Sequence, residues 1–435
     1  MSAAREAKRN YPLLLLSMVA LELLLTWAHP WADPPRGFGA EESLDRGGYR
    51  YLAEARGWAQ GTENDAQDGY RKPLVSIPAW LFYRLFGVNA ASSRALAAIG
   101  SLGSLLLLAA LLRRRHGDRI ALLGAALLLL DAPWRAFVRS PAIDPWASLW
   151  LLGVLALGSG RVPWRRIASV VGLIAGATLL KPILWLGLPA LLAEEGIRLA
   201  RARKQSAREG ARPIPPRELL AGLGTILLLL PWLWRLLKAA VGVLPEAGDP
   251  SPGSAGNGVD LLSAAPVLLP LAWVGLLLFI THVFATPGPS RPLERMAHIT
   301  VWGGLVVFLA SGGTPLHGLV SMTPLVVYLA AATVDRACHL DRSRPLPLRG
   351  LRGGLLVGAG VPGTLLLAYA LRESSLASPF AWGTLAVAGG GVAILFGFGF
   401  PWLPVSIRRR FLLPLFLLIA VGPSLPELAR MLGHP

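Results

Sequence analysis

Ionisable side chains suited to binding an anion and moving a proton lie at or near the ends of apolar segments of this 435-residue chain. The set contains both signs of charge: Asp45, Arg71, Lys72, Arg139, Asp144, Lys181 and His317. A cluster of cations can bind a phosphate or carboxylate, and a carboxylate beside them can act as a general base. The question is which elements bring these residues to one place.

The composition indicates that those elements are transmembrane helices. Hydrophobic residues make up 54% of the chain and charged residues only 15%, and the mean hydropathy is +0.53. An average soluble protein has about 25% charged residues. These values exclude a soluble enzyme, a disordered chain and a collagen-like fibre. Repeated apolar runs, each near the length of roughly 20 residues needed to span a bilayer, predict an all-α polytopic membrane protein.

The net charge of +17 follows from the same interpretation. A basic soluble protein would suggest nucleic acid as a partner, but cytoplasmic loops of membrane proteins collect Lys and Arg. We therefore expect membrane lipids and no nucleic acid among the partners. The single cysteine, Cys338, cannot form an intramolecular disulfide.

The first part of the topology follows from the charges near the N-terminus. Arg5, Lys8 and Arg9 precede an apolar run over residues 11–28, which we interpret as a retained anchor helix with a cytoplasmic N-terminus. Residues 29–88 form a first external loop that ends in an apolar segment over 73–88. Because that segment is short and contains Pro78 and Arg84, it is predicted to lie in the membrane interface.

The later spans are placed by apolar runs and by the alternation of charge. Residues 161–166 and 198–217 are both strongly basic, so both should be cytoplasmic, and the chain must turn back between them at Lys181-Pro182. This gives about 13 spans in total. The spans after the anchor helix are predicted over residues 90–112, 119–135, 141–158, 167–180, 182–193, 218–237, 263–285, 299–311, 316–334, 353–371, 379–400 and 411–426.

The order of short motifs resembles the GT-C superfamily of membrane glycosyltransferases. The motifs are Asp45 followed by Tyr49, then Arg71-Lys72-Pro73-Leu74, Ser93-Arg94, Arg139 followed by Asp144, and Leu180-Lys181-Pro182. They are most similar to the branch with protein O-mannosyltransferases and the aminoarabinose transferases that modify lipid A. The resemblance covers residues 1–195 and implies a catalytic transmembrane module there. Residues 196–435 are predicted to add further transmembrane helices without a separate soluble domain.

This resemblance implies transfer of a sugar from a polyprenyl-phosphate donor to an acceptor hydroxyl, with inversion, on the extracytoplasmic face of a bacterial cytoplasmic membrane. Asp45 is the expected general base, and Asp144 is a second candidate catalytic carboxylate. Cations would stabilise the leaving phosphate, and the candidates are Arg71, Lys72, Arg139, Lys181 and His317. Tyr49 is a candidate for stacking on the sugar or acceptor.

The same comparison sets expectations for cofactors and acceptor. No cofactor or metal is expected to be required, because side-chain cations can stabilise a leaving phosphate. The acidic run over residues 41–45 could nevertheless hold a divalent cation through oxygen ligands. The lack of a large external domain favours a lipid-linked or small glycan acceptor.

Two other functions fit part of the pattern. A lipid or solute transporter would also be polytopic, but transporters favour midplane sites in two related halves, and this sequence shows no internal repeat. An inactive scaffold of the same fold is the second alternative, because Arg46 stands where the family usually has Glu after its catalytic Asp. Individual charges could also pair with each other or reach lipid headgroups.

Overall fold

The computed structural model describes residues 2–27, 52–62, 72–139, 142–160, 162–208, 292–310 and 315–339. Throughout these ranges the chain is helical and contains no strand, so the all-α expectation is confirmed there. Five of the predicted spans, over 218–237, 263–285, 353–371, 379–400 and 411–426, lie outside the described residues. The number of spans therefore stays a prediction.

Eleven α-helices and one 3₁₀ helix are described. They are α1 (Ser2–Trp27), α2 (52–60), α3 (Pro73–Phe86), α4 (Ala90–His116), α5 (Asp118–Leu130), α6 (Ala132–Val138), α7 (Asp144–Gly158), α8 (Pro163–Leu179), the 3₁₀ helix Pro182–Gly187, α9 (Leu188–Arg208), α10 (Pro292–Ala310) and α11 (Pro315–His339).

Helix α4 has the clearest membrane-spanning character among the described residues. Its segment Ala91–His116 is 26 residues long with a hydropathy of 2.3, enough to cross a bilayer by length and composition. Asn89 starts the helix through a capping box with Ser92, and Gly117 ends it at a φ of 88°. That positive φ, which glycine adopts without steric cost, separates α4 from α5 within one residue.

The predicted span 119–135 is not one continuous helix. It breaks at Asp131, whose side chain accepts a hydrogen bond of 3.0 Å from the backbone N–H of Trp134 and so caps α6. Pro133 then occupies the first turn of α6. A capping carboxylate followed by proline favours a new helix start over continuation of the old one.

The turn predicted at Lys181-Pro182 is confirmed. Helix α8 ends at Leu179, Lys181 is extended, and Pro182 begins the 3₁₀ helix. Arg166, near the start of α8, binds Glu195 of α9 at 2.9 Å, so the two helices run in opposite directions. They are longer than the predicted spans of 167–180 and 182–193, because their basic ends also continue as helix.

Ion pairs lie at both ends of the described helix bundle. We call one the Asp144 end, where Asp144 meets Lys181 and Ser321. We call the other the Arg295 end, where Arg295 binds Glu194, and Arg198 binds Glu195. Helices α7, α8, α10 and α11 each run from one end to the other, as expected for successive crossings.

Small residues let the helices that carry the site approach closely. A Cβ atom added at Gly100 of α4 would lie 2.4 Å from the backbone of Pro145, in the first turn of α7. A Cβ at Gly176 of α8 would lie 2.4 Å from the Trp150 ring nitrogen of α7. Such contacts at small residues are typical of helix packing in membranes. They fix α7 between α4 and α8.

The predicted interfacial segment is a helix, α3, with Pro78 inside it. It buries Val75 and Tyr83 while Leu81 and Leu85 remain exposed. Trp146 of α7 donates a hydrogen bond of 3.2 Å to the carbonyl of Leu74, which ties the start of α3 to the Asp144 end.

Candidate functional site

Asp144 is the centre of the candidate site. It lies in the first turn of α7, where the helix N-terminus favours a negative charge, and it is 3% exposed. Its Oδ1 forms an ion pair with Lys181 and accepts a hydrogen bond of 2.7 Å from the Ser321 hydroxyl of α11. Three elements that are distant in sequence therefore meet at one carboxylate oxygen.

Lys181 reaches Asp144 because the chain is extended between α8 and the 3₁₀ helix. The break in helical structure turns the lysine side chain towards α7, and 16% of that side chain remains exposed. Lys72, just before α3, donates a hydrogen bond of 3.3 Å to the carbonyl of Thr178, in the last turn of α8. The structure therefore brings the two predicted lysines to the same end of α8.

A group of buried arginines adds positive charge near this end. Arg94 lies in α4, Arg135 in α6 and Arg139 at the C-terminal cap of α6, with exposed fractions of 6%, 1% and 7%. Burial lowers the pKa of Arg139 from its ordinary value, and the neighbouring charges of Arg94 and Arg135 lower it further. Like charges that are buried close together repel each other, and a bound anion would relieve that repulsion.

Arg135 is held by a buried network that reaches α1. Its Nη2 binds Glu22 at 2.6 Å and donates to the Ser101 hydroxyl at 3.1 Å. Ser101 in turn donates to Glu22 at 2.5 Å and accepts from the Trp134 ring nitrogen at 3.0 Å. The ion pair with Arg135 explains how a charged residue such as Glu22 can be buried within the apolar helix α1.

Four of the predicted site residues have no described side chain. Asp45, Tyr49 and Arg71 lie outside the described residues, so their positions stay predictions. His317 belongs to the first turn of α11, one helical turn before Ser321, but its side chain is not described. The structure therefore brings Asp144 and Lys181 into direct contact and places Lys72 and Arg139 near them. The roles of these residues stay predictions.

Sequence reasoning missed two features of the site. Ser321 lies within the predicted apolar span 316–334, and its hydroxyl faces a polar partner inside the bundle, as hydroxyls in membrane helices often do. Glu54 is buried and accepts a hydrogen bond of 2.5 Å from Ser76 of α3, so α2 and α3 are joined beside Lys72. In the sequence, Glu54 was indistinguishable from the other acids of its loop.

No group of three or more His, Cys, Asp or Glu side chains that could hold a metal occurs among the described residues. The acidic run over 41–45, the candidate for a divalent cation, lies outside them. What the described arrangement offers is fixed positive charge around one buried carboxylate. It is suited to an anionic group such as a phosphate, which cations bind through charge-assisted hydrogen bonds.

Comparison with known proteins gives a match in structure only. No protein-family model matches the chain, and no curated protein matches it. The crystal structure of ArnT from Cupriavidus metallidurans in the apo state is similar with a TM-score of 0.50 and 19% sequence identity, over 96% of this chain and 76% of that chain. The structure of the same ArnT bound to undecaprenyl phosphate gives a TM-score of 0.48 and 18% identity, with the same coverage.

ArnT is a lipid A aminoarabinose transferase and a GT-C glycosyltransferase. The resemblance expected from the order of motifs is therefore confirmed at the level of the fold. The chain is a helical membrane protein with an ArnT-like architecture. The structural likeness extends beyond residues 1–195 to nearly the whole chain, whereas the division into a catalytic module and additional helices stays a prediction.

Proposed function

We propose that this protein is an integral-membrane glycosyltransferase that moves a sugar from a polyprenyl-phosphate donor to an acceptor hydroxyl. The observation that carries the proposal is the contact of Lys181 with Asp144, on a fold shared with a GT-C glycosyltransferase. Lys72 and Arg139 lie near the same end of the bundle. Together these residues form a cationic environment for a phosphate at the edge of the bilayer.

The chemistry is a single displacement with inversion at the anomeric carbon. The acceptor oxygen attacks as its proton passes to Asp45, and the bond between the anomeric carbon and the phosphate oxygen breaks. The departing lipid phosphate gains negative charge, which Arg71, Lys72, Arg139, Lys181 and His317 would stabilise. No cofactor takes part in this scheme, and Tyr49 would stack on the sugar or acceptor.

Asp144 fits a positioning role better than that of a proton acceptor. Its Oδ1 already binds the ammonium group of Lys181 and the hydroxyl of Ser321, so this oxygen is occupied by two donors from the protein itself. Asp144 would instead orient Lys181 towards the phosphate and limit its motion.

The proposed topology has a cytoplasmic N-terminus and an extracytoplasmic site in a bacterial cytoplasmic membrane. A sugar carried by a lipid can reach that face through the bilayer, where nucleotide sugars are absent. The acceptor would be a lipid-linked or small glycan. ArnT itself has been crystallised with undecaprenyl phosphate, which makes that lipid the first donor carrier to use in an assay.

The test is sugar transfer by the full-length protein in nanodiscs, supplied with a panel of radiolabelled undecaprenyl-phosphate sugars and membrane extract as acceptor. The Asp45→Asn variant is assayed beside the parent. The matched control is Asp33→Asn, a carboxylate of the same predicted loop that lies outside the motif. We expect transfer by the parent and the control, and none by Asp45→Asn.

The alternatives predict different outcomes. A transporter or flippase would move a fluorescent polyprenyl phosphate between leaflets of proteoliposomes without transferring its sugar. An inactive scaffold would do neither, although it would unfold cooperatively in the same preparation. Either pattern would reject the proposed enzyme.

A further inference from the structure

A groove lies between α1 and α4 at the end of α4 that points away from Asp144. We call it the Arg113 groove and define it by its lining residues Tyr11, Leu15, Leu106, Ala110, Arg113, Arg114 and Asp118. Its volume is about 510 Å³. Arg113 follows Gly100 by thirteen residues on one helix, which at 1.5 Å per residue places the groove roughly 20 Å from the contact with Pro145. It is therefore separate from the candidate active site.

The walls of the Arg113 groove differ in character along the helix axis. Leu15, Leu106 and Ala110 give an apolar wall towards the middle of α4, and 41% of Leu106 is exposed. Arg113 and Arg114 give a cationic rim at the helix end. An amphiphile with an anionic head and an aliphatic tail matches this order of charge and apolar surface.

Arg113 is held in one orientation by two contacts. Its Nε donates a hydrogen bond of 2.8 Å to Asp118, and its guanidinium carbon lies 4.1 Å from the centre of the Tyr11 ring. The two Nη groups of Arg113 have no partner within the described part of the chain, and 49% of the side chain is exposed. A guanidinium fixed on one edge and one face presents its other edge for bidentate binding of a phosphate.

The charge around the groove favours an anionic ligand. Arg113 and Arg114 outnumber Asp118, and Arg115 and Arg119 are their neighbours in sequence. Basic pockets between transmembrane helices at the membrane surface are suited to acidic lipid headgroups.

From these observations we infer that the Arg113 groove binds one anionic phospholipid. The headgroup phosphate lies against the Nη groups of Arg113 with Arg114 beside it, and an acyl chain follows Leu15, Leu106 and Ala110. Tyr11 and Asp118 act by holding the guanidinium group. The inference uses none of the residues of the proposed reaction, so it stands whether or not the protein transfers a sugar.

The experiment is a binding titration of the full-length protein in a neutral detergent with fluorescent phosphatidylglycerol, and with fluorescent phosphatidylcholine as the neutral probe. One cation near a membrane surface contributes about 1 kcal/mol to the attraction of acidic lipid, so Arg113→Gln should weaken phosphatidylglycerol binding about fivefold. The matched control is Arg165→Gln. Arg165 is exposed, stacks on Trp164 with a separation of 5.5 Å and lies in the first turn of α8, outside the groove.

Two variants of Tyr11 test the role of its ring without changing the charge of the groove. Tyr11→Phe keeps the ring below the guanidinium and should bind like the parent, whereas Tyr11→Leu removes the stacking contact and should bind more weakly. Glycerophosphate, which has the phosphate without acyl chains, should compete poorly. Cooperative unfolding of each variant in neutral detergent confirms that binding is measured on folded protein.

The inference is overturned by any of three results. Equal weakening by Arg113→Gln and Arg165→Gln would mean that the lipid responds only to the overall basic surface. Equal binding of the two probes by the parent would show no preference for an anionic headgroup. Full competition by glycerophosphate would show that the apolar wall does not contribute to binding.

Discussion

The ammonium group of Lys181 forms an ion pair with the carboxylate of Asp144 across 37 residues of sequence, at the junction of α7, α8 and α11. Both groups are largely withdrawn from water, so neither charge is stable there without the other. The pair ties the turn after α8 to the first turn of α7. It is the structural centre of the proposed site.

Breaking the ion pair from either side should destabilise the protein more than removing it entirely. Lys181→Met and Asp144→Leu each leave one buried charge, at an expected cost of about 3 kcal/mol, while the double variant should recover much of that loss. Thermal unfolding in detergent measures the three variants. Additive losses would contradict the coupling. The double variant should remain inactive in sugar transfer, because the cation is absent.

Ser321→Ala should weaken the same site by a smaller amount. Loss of a hydrogen bond to a charged acceptor costs about 1.5 to 3 kcal/mol. The control is Ser17→Ala, since Ser17 is exposed and bonds only to the carbonyl of Leu13 in its own helix. If the two variants lose the same small amount of stability, the 2.7 Å hydrogen bond from Ser321 to Asp144 contributes little to the free energy of unfolding.

Gly100→Ala should move the start of α7, because the added Cβ would meet the backbone of Pro145 at 2.4 Å. Overpacking of this kind costs about 1 to 3 kcal/mol, although alanine favours helix more than glycine does. Transfer should fall as Asp144 is displaced. In the matched control Gly303→Ala the new Cβ meets nothing within 4 Å, so stability should stay equal or rise slightly. Similar behaviour of both variants would refute the packing argument.

Arg139→Leu should weaken binding of undecaprenyl phosphate by about tenfold, the effect of losing one charge-assisted hydrogen bond to the phosphate. Arg139→Lys keeps the charge but loses the planar donor fork, and it should recover only part of the affinity. A scintillation proximity assay with tritiated undecaprenyl phosphate measures both variants. Arg165→Leu serves as the control. An equal loss of affinity in that variant would mean that Arg139 acts only through the overall charge of the protein.

The opposite end of the bundle should govern stability without governing transfer. Arg295 binds Glu194 through contacts of 2.5 to 3.0 Å, and both residues are buried. Arg295→Met removes the shortest contacts of Glu194 and leaves the longer one of 3.3 Å to Arg198, so a loss of about 3 kcal/mol is expected. Thermal unfolding and transfer per folded molecule are measured together. A selective loss of transfer at unchanged stability would link this end to the reaction.

Several features of the fold could be predicted from the sequence because their signals are local. Apolar length places α4, and the alternation of basic loops requires a turn at Lys181-Pro182. The break at Asp131 was missed, although a capping acid followed by Pro133 is a recognisable helix start. The composition of the chain and the order of its motifs were sufficient to indicate the membrane class and the GT-C resemblance.

The sequence by itself predicted an all-α polytopic membrane protein and showed which apolar segments carry cations near their ends, because hydropathy and charge are properties of consecutive residues. Only the tertiary structure decided which charges meet. The contact between Ser321 and Asp144 joins residues 177 apart, and it depends on how α11 and α7 are rotated about their axes. That rotation is set by packing between distant helices, such as the approach of Gly100 to Pro145, which no local pattern specifies.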